Sequence, residues 1–323
     1  MLNFYRIKFD YLKFEGKERL DLINRLSTNE VNSLDKLKGI KTILTTDKGR
    51  FVDLLTLYNF GDFVFAACSF DNAQKVIAHL DKYTIMDDFR ASNISGTHEA
   101  VLFLGTDNEK FAKEVLNADT TAFSNNDFSF YNEGERHVII AGNDEPLGGF
   151  IFIYSISDKK YWDEKLFSLD NVDKYSLNEI SESEYEVLRI EHGIPANGRE
   201  MSELTNPLEC GLNKYVSFTK GCYIGQEVIA RLDAYDKINK HIVGFKSEEP
   251  IELTVQTGEI KFSTDNKECG FVTSAAISEN YGNIGLGFVK SLFLDYEKDY
   301  MIKEKDKLVK CKVVKLPFIE KKE

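Results

Sequence analysis

This chain has no excess of positive charge: 41 Lys and Arg stand against 53 Asp and Glu, a formal net charge of −12. The molecule as a whole repels phosphate backbones and anionic membranes, so direct nucleic-acid binding is not expected. Its longest basic stretch, KEKDKLVKCKVVK, interleaves acids and apolar residues in the pattern of an edge strand with one solvated face. No apolar run approaches the roughly 18 residues that a membrane helix needs, and MLNFYRIKFDYLKFEGKE at the start is charged throughout. A cytoplasmic protein without a membrane segment is expected. The five cysteines (Cys68, Cys210, Cys222, Cys269, Cys311) lie far apart with no CxxC pair, which suits free thiols in a reducing compartment. His79, His98, His137, His192 and His241 show no metal-ligand spacing, so no local zinc site is expected. Internal repeats and low-complexity segments are lacking too.

What is present is a globular composition, 42% hydrophobic and 12% aromatic over 323 residues, enough for two or three domains. KERLDLINRL sets Leu22, Ile23 and Leu26 on one helical face. Two β-rich runs flank TDKGR, predicting a hairpin with its turn at residues 47–49. FVFAAC, AVLFLG, HVIIAG and GFIFIYS read as strands, and DNAQKVIAHLDKY and NEKFAKEVLN as helices. The mixture lacks regular β-α-β alternation and is α+β. In SESEYEVLRIEHGIP, Ser181 and Glu184 have capping-box spacing, and Gly193 and Pro195 end the helix. After about residue 242 the texture changes to short β runs (HIVGF, IKFS, GFVTSA, IGLGFV), predicting an antiparallel barrel or sandwich of ~75 residues.

Three positions invite chemistry. Glu191 falls in the last turn of its helix, against the dipole, on the face of Tyr185 and Leu188. Either it points inward and needs donors, such as the adjacent N–H groups of a pterin's amino-pyrimidine edge, or it is exposed beside Arg189 or His192. Cys222 in KGCYIGQE precedes a segment with Ile224, Val228 and Leu232 at helical spacing, placing the thiol at or just before a helix N-terminus. With Lys220 alongside and Gly221 and Gly225 flanking, this is the setting of a reactive or metal-binding sulfur; the alternative is a small buried apolar residue. Cys210 in PLECGL is read either as a second ligand or resolving thiol or as core. Asp53, inside the apolar run FVDLL, faces solvent on simple alternation or is a functional carboxylate.

TKGCYIGQE resembles the signature of the YgfZ family of folate-binding proteins, which share a fold with GcvT, the aminomethyltransferase of the glycine cleavage system. LRIEHGIP, NPLECGL and the later GFVTSAAISENYGNIGLGFV fall in the order and spacing the superfamily shows, and STNEV with TTDKGRFVDLL resembles the N-terminal half, so the likeness spans roughly residues 14 to 291. It departs from GcvT in having one acid at Asp53-Leu54, Gln226 where GcvT has a nearby arginine, and a cysteine GcvT lacks. The resemblance implies three lobes around a central channel: a folate-binding region of two intertwined α+β lobes over residues 1–242, then a β-barrel and tail over 243–323. It further implies tetrahydrofolate, or a one-carbon derivative, as ligand, with Glu191 and, more weakly, Tyr185 at the pterin. Gln226 and Glu227 would shape the helix entry, Cys222 would be the working thiol assisted by Lys220, and Asp53 would face the folate. The implied role is support of iron–sulfur cluster assembly or repair, with assembly proteins or cluster-containing client enzymes, including those that modify tRNA, as partners. The alternative is a folate-dependent aminomethyltransferase or demethylase.

Overall fold

The computed structural model describes residues 1–118, 128–143, 147–234, 238–253, 259–265, 267–304 and 307–319. The chain forms two compact units. One comprises Met1–Thr45, Val52–Glu182 and Tyr215–Ile224; the other comprises Thr46–Phe51, Ser183–Lys214 and Gly225–Glu323.

The first unit contains two sheets. Five strands run in the order β3 (Gly39–Thr45), β4 (Phe51–Asn59), β5 (Val64–Ser69), β2 (Phe9–Glu15), β6 (Arg90–Asn93). Six run in the order β11 (Leu177–Glu179), β1 (Leu2–Tyr5), β7 (His98–Leu104), β10 (Phe150–Ser155), β9 (Arg136–Gly142), β8 (Phe128–Glu133). Period-two alternation explains how they stack. In β5, Val64, Ala66 and Cys68 join the core under helices α1 (Arg19–Leu26) and α2 (Ala73–Tyr83), whereas Phe65 and Ala67 face a second apolar layer. In β10, Ile153 enters that same layer while Phe150, Phe152 and Tyr154 pack under α3 (Asn108–Leu116), α4 (Lys159–Leu166) and α5 (Leu169–Tyr175). The result is helices, sheet, sheet, helices. Burial on both faces is why FVFAAC reads as a continuous apolar run.

The second unit is built on a closed barrel in the order β12 (Lys240–Ser247), β15 (Gly282–Lys290), β14 (Lys267–Ser278), β13 (Lys261–Thr264), β16 (Asp299–Glu304), β17 (Lys307–Val314). The expected barrel is present, but its last strand is not an edge: β17 pairs with both β16 and β12. Val309, Cys311 and Val313 point inward and Lys310 and Lys312 outward, so alternation predicted the solvated face but not the closure. Before the barrel come α6 (Glu182–Glu191) and α7 (Gln226–Ala234). The helix under KERLDLINRL and the hairpin turn are as expected; the turn closes with Gly49 N–H donating to the Thr46 carbonyl at 2.9 Å. Among the described residues no helix is long and apolar enough to cross a membrane.

Candidate functional site

In the first unit, Cys222 sits on a loop tied down on both sides. Lys220 lies inward, its ammonium donating to the carbonyls of Asn24 (2.8 Å), Ser27 (3.0 Å) and Asn29. The first two lie at the C-terminal end of α1, where unpaired carbonyls concentrate negative charge. Burial pulls the Lys220 pKa down to about 8. Tyr223, also buried, packs its ring 5.3 Å from the same ammonium. Ile224 N–H donates to the Arg25 carbonyl at 2.9 Å, and Thr45 Oγ1 donates to the Ile224 carbonyl at 2.9 Å. Between these anchors Cys222 is exposed, while Cys68, Cys210, Cys269 and Cys311 are buried.

Two expectations about this loop change. Lys220 directs its three donors to the backbone around the end of α1, so its evident work is holding the loop. Helix α7 begins at Gln226, so Cys222 lies on the loop just before the helix and Gln226 and Glu227 are in its first turn, as expected. Ile224, read from sequence as part of the helical stripe, instead packs on the first unit's core. The apolar spacing there was shared by a loop anchor and a helix, which periodicity cannot separate. Of the two flanking glycines, Gly225 has φ +79° and a Cβ there would meet the Thr46 carbonyl oxygen at 2.5 Å. A Cβ on Gly221 would meet nothing within 4 Å.

Asp53 is 1% exposed, so the solvent-facing reading fails. Its carboxylate accepts from Leu54 N–H (2.8 Å), Ser69 N–H (3.0 Å), Ser69 Oγ (2.6 Å) and Asn72 Nδ2 (2.9 Å). Val52 and Leu55 share one core although strict alternation would oppose them, so the strand's phase slips around Asp53. Burial drives its pKa upward while these four donors oppose the rise. The arrangement pins β4 to the turn between β5 and α2.

In the second unit, α6 ends at Glu191 and the chain turns at Gly193, φ +69°. Glu191 is 5% exposed, which selects the inward alternative over exposure beside Arg189 or His192. Ser278 Oγ donates to its Oε1 at 2.5 Å; Oε2 has no hydrogen-bond partner among the described residues. A buried carboxylate with one oxygen unserved suits a ligand that brings N–H donors. Tyr185 is half-buried on the same helix; at the start of α7, Gln226 is half-buried and Glu227 exposed.

Sequence reading missed the charge node that fixes α6. Arg189, 3% exposed, donates to Glu186 (Nε at 2.6 Å), the Ile194 carbonyl (3.1 Å), Glu200 (3.2 Å) and Ser274 Oγ (2.7 Å). Glu200 Oε1 accepts from Thr273 Oγ1 (2.5 Å) and Ser274 Oγ (2.7 Å), and its Oε2 from Ala196 N–H (2.9 Å). A bulge between Val272 and Ser274 lets two successive hydroxyls reach one carboxylate, which a regular strand forbids. The i, i+3 pair Glu186/Arg189 was the only local hint. Cys210 is core: burial raises its pKa, and its Sγ donates to the Glu200 carbonyl at 3.3 Å.

Comparison with known proteins places these units in a broader setting. Residues 240–320 match the family described as the glycine cleavage T-protein C-terminal barrel domain. A chloroplastic protein of Arabidopsis thaliana, named provisionally as a transferase, is 27% identical over 286 residues, covering 87% of this chain and 63% of its own length. An aminomethyltransferase of Thermoanaerobacter pseudethanolicus is 24% identical over 315 residues, covering 95% and 83%. The crystal structure of the glycine cleavage system aminomethyltransferase T from Bartonella henselae superposes with TM-score 0.82 at 16% identity, covering 98% of this chain and 86% of that one.

Proposed function

Because the chain carries the GcvT-like fold of the aminomethyltransferase superfamily with its C-terminal barrel domain, we propose that it binds tetrahydrofolate and works through Cys222. In this reading it is a YgfZ-type accessory protein for iron–sulfur cluster assembly or repair, serving cluster-containing client enzymes and, through some of them, tRNA modification. The observation that carries the proposal is the presentation of Cys222: exposed, on a loop anchored at residues 220, 223 and 224, while the other four thiols are buried. An accessible thiol on a rigid support can meet a partner without reorganising its own protein. Glu191 would accept the pterin's amino-pyrimidine donors on its unserved oxygen, with Ser278 holding the other. Tetrahydrofolate would supply a carrier for one-carbon units.

The second reading, a folate-dependent one-carbon transferase, has the names of the relatives behind it, and those names weigh more for it than for the accessory role. It needs a group that handles charge or protons near the folate. Asp53, the residue expected to fill that role, already accepts four hydrogen bonds inside its sheet, which weighs against it as an acid or base.

Calorimetric titration with tetrahydrofolate tests the shared premise: heat of binding is expected in the wild type, with affinity weakened about 10- to 100-fold in Glu191→Gln, as for a lost charge-assisted bond. Complementation of a strain lacking its YgfZ-type protein separates the readings. The accessory role expects loss of cluster-enzyme activity in Cys222→Ala. Retained function in that variant, together with aminomethyl transfer to tetrahydrofolate in vitro, would establish the transferase instead.

A further inference from the structure

The apolar layer between the two sheets of the first unit is not filled. A cavity of about 440 Å³ opens there, walled by Phe60, Phe63, Phe65, Ile94 and Ile153, with Lys13, His98 and His137 as polar neighbours. That volume falls within the about 300–1,000 Å³ usual for small-molecule sites, and a few placed polar groups among apolar walls is their usual composition.

The polar groups restrict what fits. Lys13 is already balanced: its ammonium meets Glu15 at 2.7 Å and lies 5.0 Å from the Phe63 ring centre. An anionic ligand would have to compete with Glu15 for Lys13, so the largely apolar walls favour a neutral one. His98 Nδ1 lies 2.7 Å from Thr97 Oγ1, whose own hydrogen goes to the Ile94 carbonyl at 2.6 Å. Nδ1 must therefore be the donor, and burial favours the neutral ring. Nε2 is left as a lone-pair acceptor with no partner among the described residues. His98 also stands edge-on to Phe65, ring centres 4.9 Å apart, and to Tyr11 at 5.7 Å, which fixes the imidazole. Tyr11, in the same layer, keeps a buried hydroxyl without a hydrogen-bond partner among the described residues.

We propose that this cavity binds a neutral, compact aromatic molecule carrying one hydroxyl or N–H group, held by aromatic packing and by donation to His98 Nε2. The site is independent of the folate reading and lies wholly within the first unit.

Fluorescence titration of the full chain with 2-naphthol and with 2-methoxynaphthalene, which lacks the donor, tests it. The wild type is expected to prefer 2-naphthol on the order of tenfold, the worth of one hydrogen bond. His98→Phe keeps the edge-on ring and should erase the preference while retaining 2-methoxynaphthalene. Ile94→Trp should fill the cavity and abolish binding of both, its fold checked by circular dichroism. Equal affinity for both probes in the wild type, an undiminished preference in His98→Phe, or displacement of 2-naphthol by tetrahydrofolate would each overturn the proposal.

Discussion

Cys222 and Lys220 show how adjacent residues in one loop take opposite fates. Exposure of one thiol and burial of four predicts that a disulfide reagent such as DTNB modifies one equivalent rapidly in the native protein. That phase should vanish in Cys222→Ser, with the rest reacting only on denaturation; two fast equivalents would refute the arrangement. For Lys220, the folded pKa of about 8 lies below the ordinary 10.5. Between those values the unfolded state holds a proton the folded state has shed, so stability rises with pH across the window. The wild type should thus gain stability relative to Lys220→Met between about pH 8 and 10.5, read from urea midpoints at each pH. Lys220→Met should also lose about 1–3 kcal/mol at pH 7, because carbonyls near the end of α1 lose their donor. Parallel pH profiles in the two proteins would mean that the ammonium is not desolvated.

At the scale of elements, the approach to α7 rests on Gly225 and not on Gly221. A side chain at Gly225 is strained by its positive φ and collides with backbone at Thr46. Gly225→Ala should lower stability by about 1–3 kcal/mol, whereas Gly221→Ala should change it by less than about 0.5 kcal/mol. Thermal unfolding of the two variants side by side checks this, and equal melting temperatures would contradict it. The sequence placed a glycine on each side of the cysteine but could not distinguish them, since the difference lies in a hairpin tip far away in the chain. Likewise β17 was legible as a strand with a lysine face, while its partners on both sides are a fact of closure.

For the whole molecule, the net charge of −12 predicts that the protein is not retained on heparin and gives no shift with tRNA at 150 mM salt. Retention that falls steeply with added salt would reveal a basic patch that the formal charge conceals. The two-unit organisation follows the change in texture only in part. The β-rich C-terminal region was plain in its short runs and turn residues, and it is the barrel. The assignment of Thr46–Phe51 and Ser183–Lys214 to the barrel's unit carried no compositional mark.

The amino-acid sequence by itself determined the element types, the amphipathic faces of α1 and α2, the hairpin turn, the barrel texture and the motif around Cys222, because these depend on neighbours within a few positions. Only the tertiary structure decided that Lys220 serves the end of α1, that Asp53 is sealed among four donors, and that Arg189 and Glu200 tie α6 to strand β14. Each of those outcomes is a desolvated polar group satisfied by partners distant in the chain, and local periodicity carries no information about which distant donor or acceptor will be there.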